Sequence, residues 1–86
     1  MVYKVFYKSS VQKDLRGIDK AAQKKLLDKI ENDLAKNPRE LGKQLKGSYK
    51  GLWSYRISDY RVIYKISATE VLILVLRIGN RKDVYN

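Results

Sequence analysis

Three features of the sequence predict an α+β fold. A run rich in β-branched and aromatic residues opens the chain (residues 2–8, VYKVFYK), helical spacing follows as far as residue 36, and three strand-like runs come after a turn-rich stretch. Its 86 residues make room for one domain, 1–86. A domain of this size buries only roughly 60–65% of the surface of its unfolded chain, so no large enclosed substrate cavity is expected.

In the first run Tyr3, Val5 and Tyr7 fall on one side, as in a half-buried strand. Ser9 and Ser10 then offer an N-cap to a short helix carrying Val11, Leu15 and Ile18, broken at Gly17. Asp19 can cap a longer second helix, whose apolar stripe is Ala22, Leu26, Ile30 and Leu34. It should stop near Lys36, because Asn37-Pro38 breaks helices. The two segments read as an antiparallel helical hairpin. Residues 37–51 (NPRELGKQLKGSYKG) read mainly as a loop, and a loop this long is commonly functional. Its lysines Lys43, Lys46 and Lys50 are candidate binding residues. Strands are expected over Leu52–Ile57, Tyr60–Ile66 and Val71–Arg77, and the VLILVL run of the last predicts a central strand covered on both faces.

If Ser58-Asp59 is a two-residue turn, Ile57 faces Tyr60, Arg56 faces Arg61, Tyr55 faces Val62 and Trp53 faces Tyr64. One side of the hairpin is then apolar, and the other carries Ser54, Arg56, Arg61 and Ile63. Directly opposed like charges destabilise a sheet, which suggests an anion between the arginines; the alternative is that both splay into solvent or pair with a local carboxylate such as Asp59. Past the hairpin, Arg77, Arg81 and Lys82 add cations beyond the last strand, and Gly79 lets the backbone turn toward the arginine face. Tyr85 could stack on a base or move a proton.

The charge balance supports an anionic partner: 19 Lys and Arg against 9 Asp and Glu give +10. Nucleic acid is the leading candidate for so basic a domain. No apolar run approaches the ~20 residues of a membrane span, and residues 1–8 lack a signal-peptide core, so a cytoplasmic location with no membrane partner is expected. Cysteine and histidine are absent, which removes thiolate, zinc-finger and imidazole chemistry, and the scattered acids offer no metal-ligand spacing. Neither a metal nor another cofactor is expected.

The blocks GLWSYRISDYRVIYKI and VLRIGNRKDVY, together with the strand, helical hairpin and LKG loop before them, resemble the RelE/ParE toxin superfamily over nearly the whole chain. The resemblance implies helices packed on one face of an antiparallel sheet, and a basic face that binds messenger RNA in the A site of the small ribosomal subunit. It also implies an acidic RelB-like antitoxin that wraps the toxin in a hetero-oligomer. By resemblance Arg56, Arg61, Arg81 and Tyr85 are the catalytic set, with Ser54, Arg77, Asn80, Lys82 and the three loop lysines contacting RNA. Ser54 stands where some relatives carry lysine, and Asn80 where many carry histidine. The implied chemistry is metal-independent attack of a ribose 2′-hydroxyl on the adjacent phosphate, with Tyr85, a lysine of 43–50 or a ribosomal group as the base. Two other readings share the fold: a ParE-like poison of DNA gyrase, and a non-enzymatic basic binding module.

Overall fold

The structure, a computed structural model, describes residues 2–80. Its elements are β1 (Lys4–Tyr7), α1 (Ser10–Arg16), α2 (Lys20–Lys29), α3 (Pro38–Leu41), β2 (Lys43–Gln44), β3 (Trp53–Ile57), β4 (Tyr60–Ser67) and β5 (Leu72–Asn80). They form an α+β domain around one five-stranded sheet of order β1-β5-β4-β3-β2. Strands β2 to β5 form the expected antiparallel sheet, and the N-terminal strand β1 adds to it in parallel beside β5. Parallel neighbours need a long crossover, and everything from α1 to β4 supplies it.

The helical hairpin forms as the sequence suggests, with two local differences. Asp19 caps α2 by accepting from the Ala22 amide at 3.4 Å. Ser9 holds the N-cap position of α1 but makes no side-chain capping bond, since its backbone is already helical (φ −55°, ψ −34°). Gln23 closes the hairpin, its amide donating to the carbonyls of Leu15 and Ile18 at 2.6 and 2.7 Å and satisfying orphan groups at the end of α1. At its far end α2 widens into a π-helical turn, Ile30–Leu34, where the Ala35 amide reaches back to Ile30. A stripe spaced strictly by four, as in Ala22, Leu26, Ile30 and Leu34, drifts about 40° per step on a 3.6-residue turn. The wider turn brings Leu34 back over the sheet, and Leu26, Ile30 and Leu34 are all fully buried. Each such side chain contributes about 1.5–3 kcal/mol of burial.

These helices cover one face of the sheet, where Val11, Ile18, Leu26, Ile30 and Leu34 meet Ile57, Val62, Tyr64, Ile73, Val75 and Ile78. The VLILVL strand is interior, with Ile73 and Val75 fully buried in the core and Leu72, Leu74 and Leu76 half-buried on the other face, where Ser54 and Ile63 of the neighbouring strands are buried too. The strand also starts one residue later than expected and runs to Asn80. Val71 belongs to the preceding turn, with φ +53°.

Residues 37–51 are more ordered than a plain loop. They contain α3, the two-residue strand β2 and a 3-10 turn at Gly47–Tyr49. Their anchor is Tyr64 in β4, whose buried hydroxyl donates to the Pro38 carbonyl at 2.6 Å. A Cβ on Gly42 would collide with that hydroxyl, so glycine is required by the close approach. Burial raises the Tyr64 hydroxyl well above its ordinary pKa.

Candidate nucleic-acid interface

The β3–β4 hairpin has the register read from the sequence: Ile57 opposite Tyr60, Arg56 opposite Arg61, Tyr55 opposite Val62 and Trp53 opposite Tyr64. Ser58 takes φ +54° at the first turn position, which two-residue hairpin loops reserve for left-handed backbone. Trp53, Tyr55, Ile57, Tyr60, Val62 and Tyr64 line the helix side. On the open side Arg61, half-buried, donates from Nη1 to the Ser54 hydroxyl at 3.2 Å. Arg56, exposed, donates from Nε to the Ser58 carbonyl at 3.1 Å. The opposed arginines therefore diverge along the hairpin, each to a neutral oxygen.

A bulge decides what else shares this face. Up to Tyr64 opposite Val75 the β4–β5 register is regular, but Ile63 pairs with Arg77, leaving Leu76 as the extra residue. Without that shift Arg77 would oppose Val62 and point into the core. With it, Ile78 turns into the core and Arg77 joins the open face. Two rows then cross the sheet: Lys43, Ser54, Ile63 and Arg77 in one, and Arg56, Arg61 and Gly79 in the other. Gly79 is the register neighbour of Arg61 in the second row. Lys65 lies on the same face, opposite Leu74.

Among the described residues no strand contains an aspartate or glutamate. Residues 10–36 carry seven cationic and five acidic side chains, whereas the rest of the chain carries twelve and four. Most of the net charge thus lies outside the helical segment, and the forked guanidinium donors of Arg56, Arg61 and Arg77 on the sheet suit phosphate.

The remaining sequence candidates are distributed unevenly. Lys46 and Lys50 line a recess with Trp53 beside β2. Asn80 opposes Tyr60, so its register turns it to the helix side, away from Arg56 and Arg61. Arg81, Lys82 and Tyr85 lie outside the described residues. Two features were missed from the sequence. Lys65 could have been found from its two-residue spacing to Ile63 and Arg61. Asp14 of α1 accepts from the Ile78 amide at 3.1 Å, holding the β5 edge beyond the reach of β1 just before Gly79, and no local pattern announces a contact 64 residues apart. Among the described residues no group of three or more His, Cys, Asp or Glu is placed to hold a metal ion, and no helix is long and apolar enough to cross a membrane.

Comparison with known proteins agrees with this fold. The family model of the ParE toxin of type II toxin-antitoxin systems matches residues 5–85. Toxin RelG of Mycobacterium tuberculosis is 27% identical, over 99% of this chain and 98% of its own. Toxin RelE of the same organism is 29% identical over 96% and 86%. Among solved structures, the RelBE2 toxin–antitoxin complex of Mycobacterium tuberculosis superposes with a TM-score of 0.90 at 25% identity, covering 94% of this chain and 100% of that one.

Proposed function

Since the chain belongs to the ParE toxin family of type II toxin–antitoxin systems, we propose that it is the branch of that family that cuts RNA: a metal-independent endoribonuclease acting on messenger RNA in the ribosomal A site. The observation that carries this reading is the opposed pair Arg56 and Arg61, with Gly79 next in register, on a sheet whose described strands contain no aspartate or glutamate. Arg56 donates to the Ser58 carbonyl and Arg61 to the Ser54 hydroxyl, and a phosphate reaching either guanidinium would add an ionic, forked contact that those oxygens do not supply.

RNA supplies its own nucleophile. The ribose 2′-oxygen attacks the adjacent phosphorus, its proton passes to a base, the bond from phosphorus to the 5′-oxygen breaks, and that oxygen takes up a proton. The products are a 2′,3′-cyclic phosphate and a 5′-hydroxyl. Arg56 and Arg61 hold the phosphate and stabilise charge on the phosphorane. Arg81 neutralises the leaving oxygen, and Tyr85 stacks on or orients the substrate. Arginine does not deprotonate, so the base is Tyr85, a lysine of 43–50 or a group of the ribosome. With so little acid–base equipment, alignment by the ribosome supplies much of the rate.

In the cell this cytoplasmic activity is held silent by an acidic RelB-like antitoxin in a hetero-oligomer. The solved RelBE2 relative is itself a toxin–antitoxin complex, and a +10 chain gives such a partner electrostatic complementarity. The test is to map messenger RNA ends after a brief pulse of expression and to assay supercoiling in parallel. Cuts in register with the ribosome are expected. Linearised DNA in the presence of gyrase, with intact messages, would overturn the reading in favour of a gyrase poison, and neither effect would leave a binding module.

A further inference from the structure

We propose that the recess beside β2 is a nucleotide subsite, in which a base of single-stranded RNA lies against the Trp53 indole while Lys46 and Lys50 hold the adjoining phosphates. The inference rests on the RNA reading above and extends it to a second region of the molecule. The recess has a volume of about 390 Å³ and is lined by Leu45, Lys46, Gly47, Lys50, Gly51 and Trp53, with no acidic residue in its wall. A space of this size suits a small planar ligand.

The indole is held for the purpose by the core. Trp53 packs on Tyr64 with ring centroids 6.4 Å apart and planes 23° apart, and Tyr64 is itself fixed by its bond to Pro38. Gly47 (φ +67°) and Gly51 (φ +93°) turn the backbone around the opening, and a Cβ on either would meet nothing within 4 Å. Their role is to bend the loop, and the space above them stays open. Lys46 and Lys50 are exposed at its rim.

An aromatic surface flanked by cations is how sequence-tolerant single-stranded sites are built, the ring taking the π-face of a base and the cations its backbone. An acidic peptide would satisfy the lysines and leave the indole unused. By its register Trp53 belongs to the helix side of the sheet, whereas Arg56 belongs to the open side. A bound strand therefore passes over β2, an edge of two residues.

Trp53 is the chain's sole tryptophan, so its fluorescence reports this recess directly. A short 2′-O-methyl RNA, which cannot be cut through its own 2′-oxygen, should quench that fluorescence to saturation, while the anisotropy of a labelled copy reports binding independently. The double variant Lys46→Ala/Lys50→Ala should lose the quenching and at least about tenfold in affinity, as expected for two phosphate contacts. Lys24→Ala/Lys25→Ala, which removes the same charge from α2, should keep the quenching. Unchanged fluorescence at saturating RNA, quenching that survives loss of Lys46 and Lys50, or quenching by an acidic peptide but not by RNA each overturns the proposal. Quenching without cleavage of ribosome-bound message removes the ribonuclease reading alone, and cleavage without quenching removes this inference alone.

Discussion

Arg56 and Arg61 face each other across the β3–β4 hairpin and turn their guanidinium groups apart, Arg56 to the Ser58 carbonyl at 3.1 Å and Arg61 to the Ser54 hydroxyl at 3.2 Å. The sequence admits an anion between them or splaying to either side. The described chain splays them, onto acceptors that a phosphate can displace.

This geometry separates stability from activity. Arg56→Thr removes one of two opposed like charges from a strand position that suits threonine, and should raise stability by about 0.2–1 kcal/mol in urea unfolding while reducing message cleavage. Arg61→Ala should lower cleavage about 10²–10³-fold at normal protein levels, as for the loss of one transition-state donor. Undiminished growth arrest in both variants would remove these residues from the site.

The nucleophile can be tested on the message itself. Replacing the 2′-hydroxyl by hydrogen at the one nucleotide 5′ to the cut should block cleavage and leave binding nearly unchanged, because the phosphates that dominate affinity remain. Cleavage of that message at the normal rate would show that water attacks instead.

Tyr64 should contribute to the alkaline limit of stability, together with Tyr7, whose hydroxyl is raised by burial and by its bond to Glu31. Burial raises the folded-state pKa of Tyr64 above the ordinary value of 10.0, so between the two values the unfolded chain holds fewer protons than the folded one. Its contribution is therefore complete below pH ~10 and is lost as pH rises through the folded value. Tyr64→Phe should cost about 1–3 kcal/mol at neutral pH by stranding the Pro38 carbonyl, and should make the decline above pH ~10 shallower. Equal alkaline slopes in the two proteins would contradict the assignment.

Val71 offers a gain. A β-branched residue at φ +53° is strained by about 1–2 kcal/mol relative to one that tolerates left-handed backbone. Val71→Asn should raise stability by about 1 kcal/mol, or roughly 4–8 °C in Tm for a domain of this size. An unchanged or lower Tm would mean that packing at Val71 outweighs the strain.

The sequence by itself determined the α+β order, the helical stripe and the register of the β3–β4 hairpin, because each depends on neighbours a few residues apart. The stripe names Leu26, Ile30 and Leu34, and all three are buried, but the π turn that carries Leu34 inward is not legible in it. Alternation and one turn sufficed to set Arg56 opposite Arg61. Only the tertiary structure decided which further cations join them. The bulge at Leu76 moves Arg77 to the open face, the parallel pairing of β1 leaves the end of β5 to Asp14, and the Tyr64 bond to Pro38 orders a segment whose composition reads as loop. Each is a contact between segments distant in sequence, and its energy comes from burial and hydrogen bonding that exist only once the sheet has assembled.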